Sequence, residues 1–160
     1  MIIQENFSLK NHNTFGIDAK AKQFVAVHTV DELKTILENH SNEKKFILGG
    51  GSNMLLTKDI EALVIHVDLK GKKILKQDDD YVWVEGMAGE NWHEFVLWAI
   101  AQDFGGIENM SLIPGNVGTT PVQNIGAYGT EMKDTFISCE AMNIQTREMK
   151  TFIKEYCNFG

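Results

Sequence analysis

The sequence predicts an α+β fold with small sheets and few helices. Several short segments alternate apolar and polar residues as half-buried strands do, most clearly at residues 80–86. Two longer stretches, which begin near Thr29 and Glu90, carry apolar residues at helical spacing. No internal repeat or low-complexity linker interrupts the chain, and a βαββ cluster gives way to a longer run of strands. We therefore predict two lobes, residues 1–59 and 60–160.

The N-terminal lobe is predicted to contain one helix among short strands. Thr29 and Glu32 form a capping box, which predicts a helix that begins there and runs to about His40. A glycine turn at residues 49–53 separates two short apolar runs. The predicted strands of this lobe lie at residues 23–28, 45–48 and 54–56.

The C-terminal lobe is predicted to be richer in strands. Asp78, Asp79 and Asp80 follow a lysine-rich segment, which indicates a solvated hairpin turn rather than a metal site. One helix is expected from Glu90 to about Gln102, with its apolar face in the core. The predicted strands are residues 61–67, 72–77, 80–86, 135–144 and 149–153, and a short helix is expected to begin at Lys154.

Composition and charge argue against several classes of partner. The formal net charge of -7, without a Lys/Arg block, disfavours nucleic acid and anionic membranes as partners. No segment approaches about eighteen uninterrupted apolar residues, and no signal peptide is visible. Cys139 and Cys157 lie outside any C-x-x-C arrangement, which fits a reducing cytoplasm. The histidines are scattered, so no metal site is predicted, and His93 is interpreted as a surface or capping residue.

The most informative segment is the long loop from Gly106 to Gly129, GIENMSLIPGNVGTTPVQNIGAYG, which holds both prolines of the chain. It shows no helical or strand periodicity, and loops of this length in compact domains usually bind a ligand or act as a lid. Its glycines allow close backbone approach, and its uncharged polar and apolar side chains suit a large, flat, partly polar ligand. A long connection that binds nothing is the alternative. The side chains in question are Thr119, Thr120, Gln123 and Asn124, with Ile113, Val117, Val122 and Ile125.

The glycine turn at residues 49–53, GGGSN, is a candidate phosphate site. Successive backbone N–H groups in such a turn form a concave nest for phosphate oxygens. The turn lacks the lysine of a Walker loop, and Met54 stands where a Rossmann loop would open a helix. A tight turn between strands is the alternative. Together the two glycine-rich segments predict a dinucleotide bound outside a Rossmann fold.

Four motifs make the chain recognisable. They are Asn13-Thr14-Phe15-Gly16, LGGGSNML at residues 48–55, Gly89-Glu90-Asn91-Trp92, and SLIPGNVGTTPVQNIGAYG at residues 111–129. In order and spacing they resemble the UDP-N-acetylenolpyruvoylglucosamine reductase family, flavin-dependent enzymes of peptidoglycan precursor synthesis. The resemblance implies a two-lobed α+β FAD-binding module of the vanillyl-alcohol-oxidase (PCMH) type, whose lobes clasp the cofactor. A separate substrate-binding domain is expected to lie outside this chain.

The resemblance also implies which residues hold a non-covalently bound FAD. The glycine turn would hold the pyrophosphate, and the long loop would line the cofactor. Tyr128 would lie near the point of substrate entry, with a packed tyrosine whose hydroxyl is satisfied as the alternative. The implied cofactor-binding residues are Gly49, Gly50, Gly51, Ser52, Asn53, Met54, Ile113, Pro114, Gly115, Val117, Gly118, Thr119, Thr120, Gln123, Asn124 and Gly126.

The implied reaction is the NADPH-dependent conversion of UDP-N-acetylenolpyruvoylglucosamine, a UDP-sugar, to UDP-N-acetylmuramate. This is a cytoplasmic step of cell-wall biogenesis, and it links the chain to cell shape and cell division. In the family, Asn158-Phe159-Gly160 would be followed by a Tyr-Arg pair that contains a catalytic arginine. A catalytic serine and glutamate would lie further on. No catalytic residue is therefore expected within these 160 residues, and the chain alone is expected to be inactive.

Two alternatives remain open. The chain could belong to another FAD-dependent oxidoreductase of the same fold, such as a small-molecule oxidase. It could also be a non-catalytic binding module that has kept the flavin fold. A continuation without the Tyr-Arg pair favours the first alternative, and a stable fold that binds no flavin favours the second.

Overall fold

The computed structural model describes residues 1–159 and divides into two compact units, Met1–Leu69 and the chain from Lys70 onward. Gly160, which the prediction counted in the second lobe, lies outside the described residues. The predicted lobe boundary after residue 59 falls too early, because the strand that begins at Ile60 belongs to the sheet of the first unit. The mixture of short sheets and helices confirms the α+β prediction.

The first unit is a four-stranded sheet with one α-helix. Its elements are β1 (Gln4–Ser8), β2 (Lys20–Val27), α1 (Val30–Asn39), β3 (Lys45–Leu48) and β4 (Ile60–Val67). The strand order is β1-β2-β4-β3, with β1 antiparallel to β2 and with β4 parallel to both β2 and β3. The central stretch of β4, residues 62–65, is buried, as expected of a strand paired on both sides.

Helix α1 begins at the predicted cap. The Thr29 hydroxyl accepts the backbone N–H of Glu32 at 3.1 Å. The Glu32 carboxylate reaches one residue further back than in a regular capping box and accepts the His28 N–H at 2.7 Å. That hydrogen bond lowers the pKa of Glu32. Ile36 and Leu37 form the buried part of the predicted apolar face.

Two parts of the first unit differ from the predictions. Strand β1 was not predicted, because four of its five residues are exposed and its sequence shows no apolar alternation. Residues 54–56 are not a strand, although they were predicted as one. Met54 and Leu56 pack into the core of this unit and Leu55 is exposed, so the apolar run fills space beside the sheet instead of extending it.

The second unit combines hairpins with helices and the long loop. Its elements are β5 (Lys72–Gln77), β6 (Val82–Gly86), α2 (Trp92–Ile100), β7 (Gly126–Ala127), β8 (Thr130–Glu131), α3 (Met132–Thr135), β9 (Ser138–Met142) and β10 (Met149–Ile153). The pairs β5–β6, β7–β8 and β9–β10 are antiparallel. The acidic turn forms as predicted, because the Asp78 carboxylate accepts the N–H groups of Asp80 and Tyr81 at 3.1 and 2.9 Å. A 3-10 turn at Lys154–Tyr156 takes the place of the short predicted helix.

Helix α2 provides the core of the second unit. Trp92, Phe95 and Val96 are buried on one face, as their spacing predicted. Ile100, which shares the pattern, is instead 44% exposed. The Trp92 indole N–H donates to the carbonyl oxygen of Met110 at 2.8 Å, so the polar atom of this buried ring is satisfied. This hydrogen bond also ties Met110, near the start of the long loop, to α2.

Candidate functional site

The glycine loop, residues 49–53, lies in the first unit and follows β3 directly. Gly51 is buried and has a φ of +66°, in the left-handed region that favours glycine. The N–H of Thr14 donates to the carbonyl oxygen of Gly51 at 3.2 Å. Two motifs that are far apart in sequence, the Asn13–Gly16 segment and the glycine loop, therefore meet here.

Gly51 lies directly against the backbone of the Asn13–Gly16 turn. A Cβ atom added to Gly51 would lie 2.0 Å from the carbonyl oxygen of His12 and 3.0 Å from the Cα of Asn13. Close packing leaves no room for such an atom, and a backbone carbonyl cannot rotate away as a side chain can. The third glycine is therefore required by the packing of the protein itself.

Asn13 fixes the turn on which Gly51 rests. Its side chain is buried, donates to the carbonyl oxygens of Leu9 and Ile17 at 2.8 and 2.9 Å, and accepts the Ile17 N–H at 3.0 Å. These three bonds close residues 9–17 into a turn that supports the glycine loop. Sequence reasoning identified this motif only by resemblance. The signal available in the sequence was an Asn followed by a Gly three residues later, which is common in turns.

The glycine loop has the donors that a pyrophosphate requires. Among the hydrogen bonds of residues 1–159, none is donated by the backbone N–H groups of Gly50, Gly51, Ser52 or Asn53. Gly51 is buried and Ser52 is half-buried, whereas Gly50 and Asn53 are exposed, and phosphate oxygens bound in such a glycine-rich turn can accept from these N–H groups. The residues present therefore fit a pyrophosphate. Met54 is half-buried and packs against the core of this unit.

The long loop of the second unit contains short 3-10 turns, although its sequence shows no helical or strand periodicity. The turns lie at Glu108–Met110, Val117–Thr119 and Pro121–Gln123, and β7 begins at Gly126. Each turn has only three residues, which is too short to produce a visible periodicity in the sequence. The loop is therefore an ordered structure.

Backbone hydrogen bonds align the loop with the residues before α2. The N–H of Trp92 donates to the carbonyl oxygen of Gly115 at 3.0 Å, and the N–H of Val117 donates to that of Glu90 at 2.9 Å. The N–H of Gly118 donates to the carbonyl oxygen of Ala88 at 3.0 Å. Two motifs identified separately in the sequence, at residues 89–92 and within the long loop, thus lie side by side.

The two threonine hydroxyl groups of the loop are used within the loop. Thr119 Oγ1 donates to the carbonyl oxygen of Asn116 at 2.8 Å, and Thr120 Oγ1 donates to that of Val117 at 2.8 Å. Thr120 is buried, whereas Thr119 is exposed. Thr119 Oγ1 also accepts the N–H of Asn116 at 3.3 Å, so both hydroxyl groups shape the turn. Pro114, Gly118 and Gln123 are exposed, and Ile113, Gly115 and Val117 are half-buried.

The end of the loop borders an open depression of about 600 Å³ in the second unit. Asn124 and Gly126 line it, together with Thr130, Glu131 and Lys133. The Asn124 amide donates to the Glu131 carboxylate at 3.0 Å and accepts the Lys133 N–H at 3.0 Å. Hydrogen bonding from Lys133, followed by that from Asn124, lowers the pKa of Glu131. Asn124, like Thr120, therefore has a structural role in this loop.

Tyr128 stands at the tip of the β7–β8 hairpin and is 89% exposed. The alternative of a packed tyrosine is therefore wrong. Tyr128 and Gly129 have φ values of +52° and +82°, the pattern of a two-residue type I′ turn. A tyrosine in the left-handed region costs free energy, and an exposed ring recovers little of it by packing. Its substrate-side role stays a prediction.

Replacing Tyr128 by asparagine is expected to stabilise the second unit by roughly 1 kcal/mol, because asparagine tolerates a left-handed backbone better than tyrosine does. Urea unfolding followed by tryptophan fluorescence measures the effect, since Trp83, Trp92 and Trp98 all lie in this unit. Tyr156→Asn is the control, because Tyr156 is also exposed but has no positive φ. Equal or lower stability of the Tyr128 variant would contradict the strain argument.

Across residues 1–159, no group of three or more His, Cys, Asp or Glu side chains is arranged to hold a metal ion. None of the helices in the same residues is long and apolar enough to cross a membrane.

Comparison with known proteins identifies the class of the fold. Residues 21–150 match the protein family described as FAD binding domain. The UDP-N-acetylenolpyruvoylglucosamine reductase of Flavobacterium johnsoniae is 77% identical over 160 residues, which cover 100% of this chain and 48% of the relative. The reductases of Pseudomonas putida (46% identity, 98% and 47% covered) and Amoebophilus asiaticus (47% identity, 100% and 48% covered) match similarly. The chain spans about half the length of these curated relatives.

A solved structure supports the same fold. The crystal structure of the UDP-N-acetylenolpyruvylglucosamine reductase from Thermus caldophilus matches with a TM-score of 0.77 at 24% identity and covers 99% of this chain and 56% of that one. At this identity the likeness establishes the fold alone. The resemblance seen in the sequence motifs is confirmed by the relatives, whereas the individual cofactor and substrate residues stay predictions. Because residues 21–150 match the model of this family, the chain belongs to the FAD binding domain family.

Proposed function

We propose that this chain binds FAD non-covalently and forms the FAD-binding part of an NADPH-dependent reductase that converts UDP-N-acetylenolpyruvoylglucosamine to UDP-N-acetylmuramate. The observation that carries the proposal is the glycine loop at residues 49–53. Four consecutive N–H groups there donate to no residue among 1–159, in a chain of the FAD binding domain family. Relatives named as this reductase match the whole chain and support the choice of substrate.

Each unit carries its own set of predicted cofactor residues. In the first unit, residues 49–54 hold the pyrophosphate through backbone N–H groups. In the second unit, residues 113–115, 117–120, 123, 124 and 126 line the cofactor, with half-buried Ile113 and Val117 as apolar contacts. Bound FAD supplies hydride transfer, and the residues of this chain bind and orient it.

The substrate side of the proposal concerns Tyr128 and the reaction of the whole protein. Tyr128 is exposed at a hairpin tip, where its ring and hydroxyl can contact a UDP-sugar. The relatives are about twice as long as this chain, so we assign it cofactor binding and expect no turnover from it alone. The whole protein would act in the cytoplasm, in peptidoglycan synthesis and thus in cell shape and division.

The test is the visible absorption spectrum of the purified chain after incubation with FAD and desalting. We expect flavin bands that stay with the protein and are shifted from those of free FAD. A folded but colourless protein would overturn the proposal for this chain and would favour a non-catalytic module.

The identity of the reaction needs a second experiment on the whole protein. Anaerobic addition of NADPH should bleach the flavin, and addition of the enolpyruvyl substrate should restore its colour. Failure of the UDP-sugar to reoxidise the flavin, with rapid reoxidation by oxygen, would instead favour an oxidase of the same fold.

A further inference from the structure

We propose that His93 is a positioning residue for the cofactor-lining loop and that its Nδ1 atom holds the segment Met110–Gly115 in its binding conformation. The inference rests on the proposed function, because the same segment carries the predicted cofactor residues Ile113, Pro114 and Gly115. The sequence had indicated only a surface or capping histidine. The structure places this side chain half-buried on the first turn of α2, turned toward the loop.

The hydrogen bonds at His93 show which of its two ring nitrogens carries the proton. Nδ1 accepts the backbone N–H of Leu112 at 3.3 Å and lies 3.0 Å from the hydroxyl oxygen of Ser111. Because an N–H group can only donate, Nδ1 must carry the lone pair, and the ring proton of the neutral imidazole is on Nε2. The Ser111 hydroxyl then shares this single lone pair with the Leu112 N–H, so His93 contacts two consecutive residues of the loop.

The loop needs this support because its backbone is strained at Leu112. Leu112 has a φ of +63° and is 75% exposed. A left-handed leucine is unfavourable, and contacts of an exposed side chain do little to offset that cost. The bond from its N–H to His93 favours the strained conformation directly. The positions of Ile113 and of the predicted cofactor residues after it depend on the backbone conformation at Leu112.

Trp92 holds the two ends of the same segment. Its indole N–H donates to the carbonyl oxygen of Met110 at 2.8 Å, and its backbone N–H donates to that of Gly115 at 3.0 Å. His93 contacts the residues in between. Two adjacent residues of α2 thus fix the segment at its start, middle and end. The Trp92 contacts are also part of the core, so His93 is the member whose loss can be tested without emptying the core.

The test compares two substitutions at one position. In His93→Asn, the side-chain oxygen takes the place of Nδ1 and keeps an acceptor for Leu112. In His93→Leu, a side chain of similar size has no acceptor. His28→Leu is the matched control, because His28 is an exposed histidine of the first unit. Two readouts are needed: amide hydrogen exchange of residues 111–115 without FAD, and FAD affinity by fluorescence titration.

We expect His93→Leu to raise the exchange rate of the Leu112 amide and to weaken FAD binding by about tenfold each, the size expected when one or two hydrogen bonds are lost. His93→Asn and His28→Leu should stay within about twofold of the unchanged chain in both readouts. Unchanged exchange or affinity in His93→Leu would overturn the proposal. So would an Asn variant as impaired as the Leu variant, since the acceptor would then not be the cause.

The role of His93 can be tested even if the unchanged chain binds no FAD or the His93→Leu variant does not fold. If the unchanged chain binds no FAD, the proposed function fails, while hydrogen exchange alone still decides whether His93 orders the segment. If His93→Leu does not fold, Ser111→Ala removes one of the two donors and leaves α2 intact. That variant should show roughly two- to threefold faster exchange at residues 111–115, and unchanged exchange would overturn the proposal.

Discussion

Replacing Gly51 by alanine is expected to destabilise the first unit by roughly 3 kcal/mol or more, a large share of the stability of a small unit. Two costs add. The new Cβ would lie 2.0 Å from the carbonyl oxygen of His12, and the φ of +66° is unfavourable for any residue with a side chain. Relief requires a shift of residues 12–13, which the side chain of Asn13 holds by three hydrogen bonds. Amide hydrogen exchange in β2 and β4 measures the loss.

Gly16→Ala separates the two costs of the Gly51 substitution. Gly16 has nearly the same φ, +63°, but an added Cβ would meet nothing within 4 Å. This control should cost only about 1 kcal/mol, the penalty of the left-handed backbone alone. Equal losses in the two variants would show that close approach to His12 is unimportant. On the proposed function, Gly51→Ala should also fail to retain FAD after desalting.

Regular elements with a local signal could be predicted from the sequence. Helix α1 begins directly after the capping residue Thr29, and β5 and β10 have the predicted bounds, residues 72–77 and 149–153. In each case the information lies within a few residues: a side-chain cap, an alternation, or a charged turn such as Asp78–Asp80. Local physics of this kind does not depend on the rest of the chain.

Elements that depend on distant partners could not be predicted in this way. β1 forms because β2 provides an edge for it, although its own residues are mostly exposed. The lobe boundary was misplaced because membership of β4 is decided by its parallel pairing with β2 and β3. The apolar run at residues 54–56 has the composition of a strand. It does not form one, because it pairs with no strand of the neighbouring sheet.

At the candidate site, too, local features could be predicted from the sequence, whereas contacts between distant residues could not. The glycine loop was predicted as a candidate phosphate site from its composition, and N–H groups that donate to no residue among 1–159 support that interpretation. The sequence did not show that Thr120 and Asn124 use their polar groups inside the loop, because those bonds join residues whose relative positions depend on 3-10 turns. Nor did it show that His93 contacts Ser111 and Leu112, eighteen and nineteen residues away.

Gly118→Ala is expected to destabilise the second unit by roughly 2–3 kcal/mol. The new Cβ would lie 2.6 Å from the Cβ of Ala88, 2.9 Å from its Cα and 3.1 Å from its carbonyl oxygen. The same carbonyl accepts the N–H of Gly118 at 3.0 Å, so the two backbones cannot separate without losing that bond. Urea unfolding followed by tryptophan fluorescence reports on this unit directly. Gly105→Ala, whose nearest neighbour would lie at 4.0 Å, should change stability by about 0.5 kcal/mol or less.

The double variant Ala88→Gly with Gly118→Ala tests whether the contact itself is the cause. Removing the Ala88 Cβ relieves the shortest approach but leaves the Cα and the carbonyl oxygen close, so about 1 kcal/mol of the loss should return. No recovery would mean that the backbone approach dominates, and full recovery would mean that the side chains do. A loss in Gly118→Ala no larger than in Gly105→Ala would contradict close packing here. On the proposed function, FAD retention should fall and recover in parallel with stability, because residues 115–118 keep their position only while they lie against residues 88–92.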